Sequence, residues 1–253
     1  MRLIIEPDYD KVSEWAACYV ASRINAANPT PEKPFVLGCP TGSSPLGMYK
    51  KLIELNKAGK VSFQNVVTFN MDEYVGLPED HPESYHSFMW NNFFNHIDIK
   101  KENVNILNGN AADLDKECEE YEARIAAAGG IDLFMGGVGP DGHIAFNDPH
   151  VADFNDPLLI KKVDLDQKCR MQQVHDGCFK DISEVPEYAL TLTVPAMFNA
   201  DHLFCVVPAA SKAEAVKGAV FGPVSEKCPA SILRRHKSAI LYTDKDSAKY
   251  IMD

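Results

Sequence analysis

The sequence predicts an α/β fold, a parallel sheet covered by helices, on three observations. Short apolar runs rich in β-branched residues alternate with amphipathic stretches of helical length. The connections between them are mostly short, as in βα units. The chemically unusual stretches all fall where an apolar run ends, which is where open α/β sheets bind ligands.

In chain order, strands are expected at 2–5 "RLII", 35–39 "FVLGC", 66–71 "VVTFNM", 104–107 "VNIL", 132–136 "DLFMG", 202–207 "HLFCVV" and 239–243 "AILYT". Helices are expected at 9–26, 45–58, 84–96, 112–127, 210–220 and 229–236. The first has a clear period, with Val12, Trp15, Ala16, Val20 and Ile24 assigned to one face. Residues 147–188 break the alternation, being polar and weakly periodic. A segment that long is a functional lid or a disordered insert. With no repeat, low-complexity tract or linker, the reading is one domain over 1–253 with a lid within 150–188.

Composition narrows the function. The 253 residues carry a formal net charge of −11, which argues against nucleic acid or an anionic membrane surface as partner. An anionic small substrate stays open, because a pocket can be locally positive. The seven cysteines, at 18, 39, 118, 169, 178, 205 and 228, form no C-x-x-C pair and no zinc spacing. They read as reduced thiols. No run approaches a membrane span and the N-terminus lacks a signal-peptide core, so a cytoplasmic protein is expected.

Four stretches carry candidate chemistry. In "CPTGSSPLGMYKKL" (39–52), Ser44 is expected as N-cap and Pro45 as the first helical residue. Backbone N–H groups of Thr41, Gly42, Ser43 and Ser44, with the hydroxyls, suit an anion; an ordinary capped helix is the plain alternative. No Walker or dinucleotide fingerprint is present. In "FNMDEYVGL" (69–77), Asp72 and Glu73 follow a buried strand. Neighbours on extended chain point to opposite sides, so one carboxylate faces a pocket, as a general base or a turn-forming group. In "GGVGPDGHIAFNDP" (136–149), Asp141, His143 and Asp148 surround a glycine run. Acid–base catalysis is favoured there over a structural histidine, with a metal site ranked lower because no second His stands at ligand spacing. In "VVPAASKAEAV" (206–216), Lys212 sits in a first helical turn, where a cation is disfavoured unless an anion intervenes; a solvated surface Lys is the alternative.

Together with "NVNILNGNA", "VPEYALTLTV" and "SKAEAV", these motifs resemble the glucosamine-6-phosphate deaminase family over nearly the whole chain. The related 6-phosphogluconolactonases share the G-x-G-x-D-G-H theme but resemble it less. The resemblance implies a Rossmann-like three-layer α/β/α sandwich. It also implies conversion of glucosamine 6-phosphate and water to fructose 6-phosphate and ammonia, with no cofactor and no metal. Asp72 would move the C2 proton, and His143 would open the ring with Asp141 and Asp148. Residues 41–44, Gly137 and Lys212 would hold the substrate, the glycines at 136, 137 and 139 letting the backbone approach the sugar. A small amino-sugar phosphate is the implied partner, and a homo-oligomer is compatible.

Three departures stand out. Asp148 replaces the family's usual Glu, one methylene shorter. The lid usually carries Arg before Phe-Phe, whereas this chain reads "KCRMQQVHDGCFKD", with His175, Asp176 and Gly177 near that point and Arg170 upstream as a substitute phosphate ligand. The segment after Pro149 and the C-terminal region differ, so no allosteric site transfers. Three other readings stay open: galactosamine 6-phosphate as substrate, a lactonase-type hydrolase, and a sugar-phosphate sensor without turnover.

Overall fold

A computed structural model describes residues 1–175 and 177–252, apart from the side chains of Lys168, Cys169, Gln172 and His175. Seven strands form the central sheet: β1 (Arg2–Glu6), β2 (Phe35–Cys39), β3 (Val66–Asn70), β5 (Val104–Asn105), β6 (Leu133–Gly136), β9 (His202–Val207) and β10 (Ala239–Asp244). Their order is β1-β10-β9-β6-β2-β3-β5, and every neighbouring pair is parallel. Parallel strands are covered on both faces, which is why β2 and β10 are buried at every residue.

One face packs against α1 (Tyr9–Ala27), α2 (Leu46–Lys57) and α3 (Tyr85–Asn92), through Val12, Ala16, Met48, Leu52, Met89 and Phe93. The other packs against α4 (Leu114–Ala127) and α7 (Ala213–Phe221), through Tyr121, Ala215, Val216 and Ala219. This is the expected three-layer sandwich. Trp15 is a correction, being 54% exposed. The buried stripe of α1 is Val12, Ser13, Ala16, Ala17, Val20, Ala21 and Ile24. Its centre lies on the small alanines that let α1 approach its neighbours, and the indole falls outside it.

The main difference from the sequence expectation is a second, antiparallel sheet: β4 (Asp72–Tyr74), β8 (Tyr188–Leu192) and β7 (Ile160–Asp164). Only Ile160 and Val163 of β7 are buried, three residues apart and so on opposite faces, among polar neighbours, so it carries little apolar signal. Within 150–188 the chain also forms α5 (Gln167–His175), and α6 (Val194–Phe198) follows β8. Tyr74, Phe146, Val163, Phe179 and Ala189 bury one another in a small third core at this sheet. Four expected elements change type or length: 229–235 is a 3₁₀ helix, opening on Pro229, β5 spans two residues, 84–96 divides into α3 and a 3₁₀ turn at Phe94–His96, and 210–220 opens on a 3₁₀ turn before α7.

Candidate active site

The strand order reverses at β2 and β6. From β2 the chain steps outward to β3 and β5, then returns to β6 on the other side of β2 and continues to β9 and β10. A crevice opens beyond the carboxyl ends at such a switch point. A cavity of about 660 Å³ lies there, lined by Thr41, Gly42, Ser43 and Ser44 after β2, and by Gly137, Asp141 and His143 after β6. Asp72, Asp148 and Lys212 also line it. Ten of the eleven residues expected at the site therefore meet in one place.

His143 is held from two sides. Its Nδ1 lies 2.7 Å from Asp141 Oδ1 and 3.0 Å from Asp148 Oδ1, and its backbone N–H donates to Asp141 Oδ1 at 3.1 Å. A proton on Nδ1 satisfies both carboxylates, which leaves Nε2 as the working nitrogen. Burial by itself would lower the imidazole pKa, but the bonds to Asp141 and then Asp148 overcome it and raise it to about 9. Asp141 responds in kind: burial opposes its charge, yet the His143 bond brings it down to about 2.

Gly139 is required by this ring. A Cβ on it would stand 2.0 Å from His143 Cε1 and 2.4 Å from Nε2. The glycine was expected to admit sugar; what occupies its missing side chain is the imidazole. Ala145 holds a left-handed φ of 52° between His143 and Asp148, a strained geometry of the kind that clusters at functional sites.

Asp72 is 4% exposed at the cavity floor, and its Oδ1 finds no hydrogen-bond partner among the described residues. Burial pushes its pKa well above the usual carboxylate value, Glu73 adds to that, and His143 partly offsets it. Glu73 points the other way, as strand alternation requires. It accepts N–H bonds from Tyr74 at 2.8 Å, from Tyr85 at 3.0 Å and from His86 at 2.8 Å, securing the start of α3. Each acid of the pair thus takes one of the two roles that the sequence left open.

Residues 41–44 bring their backbone to the cavity's other end. Among the described residues no acceptor is found for the N–H groups of Gly42, Ser43 or Ser44. The helix start is a correction: α2 begins at Leu46 with Pro45 as its N-cap residue, and no side chain of that cap bonds the helix. Pro45 is already in helical geometry, at φ −80° and ψ −9°, which shifts the cap past Ser44. Lys212 closes a 3₁₀ turn (Ala210–Lys212) and stands as the residue before α7, one step outside the helix.

Arg170 does not reach the cavity. Its Nη2 donates to the carbonyls of Ile182 and Val185, both at 2.8 Å, and its Nε to Val185 at 3.2 Å. With Nη1 3.8 Å from the Glu187 carboxylate, the guanidinium braces the 182–185 turn. The side chain of His175 and all of Asp176 lie outside the described residues.

Sequence reasoning missed the aromatic wall of Tyr74, Tyr85, Phe88, Phe146 and Phe179. Tyr85 stacks on Phe146 at 7° between planes, and Phe179 packs edge-on to Tyr74. Tyr74, Phe146 and Phe179 lie inside stretches singled out for other residues, Phe179 in the lid segment set against the family's Phe-Phe pair, and the aromatic wall they form shows only in the fold. Asp141, His143 and Asp148 also offer three ligand atoms within 4.8 Å of one another, the one cluster of metal-ligating type among the described residues. A cation there would have to displace the Nδ1 proton from both carboxylates.

Comparisons with known proteins give the family and the fold. The sequence matches the family described as "Glucosamine-6-phosphate isomerases/6-phosphogluconolactonase" over residues 7–242. It is 60% identical to a glucosamine-6-phosphate deaminase of Phocaeicola vulgatus, covering 97% of this chain and 92% of that one. It is 54% identical to one of Borreliella burgdorferi, covering 98% and 91%. Among solved structures, a monomeric glucosamine-6-phosphate deaminase superposes with a TM-score of 0.91 at 36% identity, covering 98% and 99%. A 6-phosphogluconolactonase from Thermotoga maritima shares the fold, at a TM-score of 0.76, 19% identity and coverage of 96% and 99%.

Proposed function

Because the chain belongs to the family of glucosamine-6-phosphate isomerases and 6-phosphogluconolactonases, we propose that its cavity performs the deaminase reaction. The protein converts glucosamine 6-phosphate and water to fructose 6-phosphate and ammonia, the reaction of the family to which relatives named glucosamine-6-phosphate deaminase belong. The observation that carries the residue roles is the pairing, in one cavity, of an imidazole held by two carboxylates with a buried aspartate whose Oδ1 finds no partner among the described residues.

The roles follow from where charge must move. The phosphate lies at residues 41–44 and Lys212, where backbone N–H groups and an ammonium meet a dianion. That leaves the sugar toward His143 and Asp72. Imidazolium Nε2–H protonates the ring oxygen, the neutral imidazole takes up the anomeric hydroxyl's proton, and the ring opens to the aldehyde. Asp72 then takes the C2 proton while Nε2–H gives its proton to O1, forming an enolamine; Asp72 returns its proton to C1, and the product is the C2 iminium ion, whose attacking water returns a proton to the imidazole. Water adds at C2 and ammonia leaves. Burial suits Asp72 to this task, because it strengthens the carboxylate as a base. Asp141 and Asp148 keep the imidazole oriented and charged.

Residues 150–188 are read as the lid over this site, since Gln173, Cys178 and Phe179 line its rim. Among the described residues no helix is long and apolar enough to cross a membrane; a cytoplasmic setting is proposed on the metabolic reaction alone. A homo-oligomer is not required for the chemistry, because every residue invoked belongs to one chain.

The test is to incubate the pure protein with the 6-phosphates of glucosamine, galactosamine and mannosamine, and with 6-phosphogluconolactone. Stoichiometric ammonia and fructose 6-phosphate from glucosamine 6-phosphate are expected. Lactone hydrolysis without ammonia release would overturn the assignment, and so would binding without turnover.

A further inference from the structure

The loop at 41–44 raises a physical problem. A helix start normally satisfies its first amides with a Ser, Thr, Asp or Asn at the N-cap. Here the cap is Pro45, which offers no such side chain. The loop must nonetheless hold its peptide planes still if its amides are to meet a phosphate.

The missing bond comes from another helix. Tyr9, the first residue of α1, accepts the Gly47 N–H on its phenol oxygen at 2.7 Å. The same hydroxyl donates, shared, to the carbonyls of Ser43 and Ser44 at 3.0 Å each. The start of α1 is itself pinned, with Asp8 accepting the Lys11 N–H at 2.9 Å. Gly47 makes the approach possible, because a Cβ there would stand 2.2 Å from Ser13 Oγ and 3.0 Å from Tyr9 Cζ.

Planarity of the peptide turns these bonds into an orientation. In a trans peptide the C=O and the following N–H point in opposite directions. Drawing the Ser43 carbonyl toward Tyr9 therefore aims the Ser44 N–H away from Tyr9. Ser43 and Ser44 line the cavity and Tyr9 does not. The next peptide, Ser44–Pro45, has no N–H to aim. We infer that Tyr9 is a positioning residue for substrate phosphate: its phenol caps α2 from outside and turns the Ser44 amide into the cavity. This rests on the reading of residues 41–44 as the phosphate site.

The test compares wild type with Tyr9→Phe, which removes one oxygen and keeps the ring of a half-exposed residue. Ammonia release gives kcat and KM, inorganic phosphate is titrated as a competitive inhibitor, and Tm is recorded. Wild type should be inhibited competitively. In the variant, KM and the phosphate inhibition constant should rise together, by about threefold to tenfold, with kcat within about twofold of wild type. A merely structural hydroxyl would lower Tm and leave both constants in place, which overturns the inference. A fall in kcat at constant KM overturns it too. Failure of phosphate to compete in wild type would show that residues 41–44 are not the phosphate site, and both readings would then fall. The two failures are told apart by the wild-type titration alone.

Discussion

Replacing Asp141 with Asn removes one of the two charges on His143 while leaving an oxygen for Nδ1–H. In the folded protein the imidazole stands at about 9 against 6.5 for the free side chain. The difference is worth roughly 3.4 kcal/mol net of the burial penalty. Two carboxylates at 2.7 Å and 3.0 Å supply it and offset the burial penalty as well, so losing one should lower the pKa by at least about 1 to 1.5. If protonated His143 opens the ring, the alkaline limb of the kcat/KM profile moves from about 9 to about 7.5–8. At pH 8.5 the reactive fraction then falls about fivefold, while at pH 6 it barely changes. Stability should follow the same sign. A raised imidazole pKa stabilises fully below about 6.5 and loses that contribution as pH rises through about 9. The variant's Tm deficit should therefore be largest at pH 6 and shrink toward pH 10. The assays are a pH–rate profile for ammonia release and thermal melts across the same range. A rate loss of equal size at every pH, with the alkaline limb unmoved, would refute the reasoning.

Three further outcomes test separate parts of the site. Asp72→Asn should lower kcat by about 10² to 10⁴ while phosphate inhibition stays as in wild type; equal losses in both would make Asp72 a binding or structural group. Gly139→Ala must push the His143 ring from its seat, since the new Cβ would stand 2.0 Å from Cε1. Activity should fall at least about tenfold, with stability reduced far less, as read by kcat and Tm on one preparation. Arg170→Met should destabilise by about 1.5–3 kcal/mol, because charged hydrogen bonds to the carbonyls of Ile182 and Val185 are lost. KM should stay within about twofold; a tenfold rise would restore Arg170 as a phosphate ligand.

The parallel sheet and its cavity were legible in the sequence for one physical reason. Strands buried on both faces must be apolar along their length, so β2, β3, β6, β9 and β10 announce themselves, and the polar residues after them stand out. The second sheet obeys a different rule. In β7 only Ile160 and Val163 are buried, in two different clusters on opposite faces, and β4 is three residues long and pairs with Thr191, Leu190 and Ala189. Neither run has enough apolar periodicity to be read locally, because their stability comes from partners far away in the chain. Arg170 failed as a candidate for a related reason. Charge and proximity to a family position pointed to phosphate, but its Nε and Nη2 bond backbone carbonyls, and the fold of 182–185 is needed to see them. Tyr9 is the converse case. Nothing near residue 9 suggests a role in binding, since the loop it serves lies more than thirty residues away. The clue was a defect elsewhere, a helix whose cap position holds proline. A backbone amide left without its usual partner in one element predicts a side chain from another. Here the order of the sheet explains why α1 supplies it: β2 lies centrally, with α1 and α2 packed together over the same face, so the start of α1 reaches the start of α2 beside the switch point.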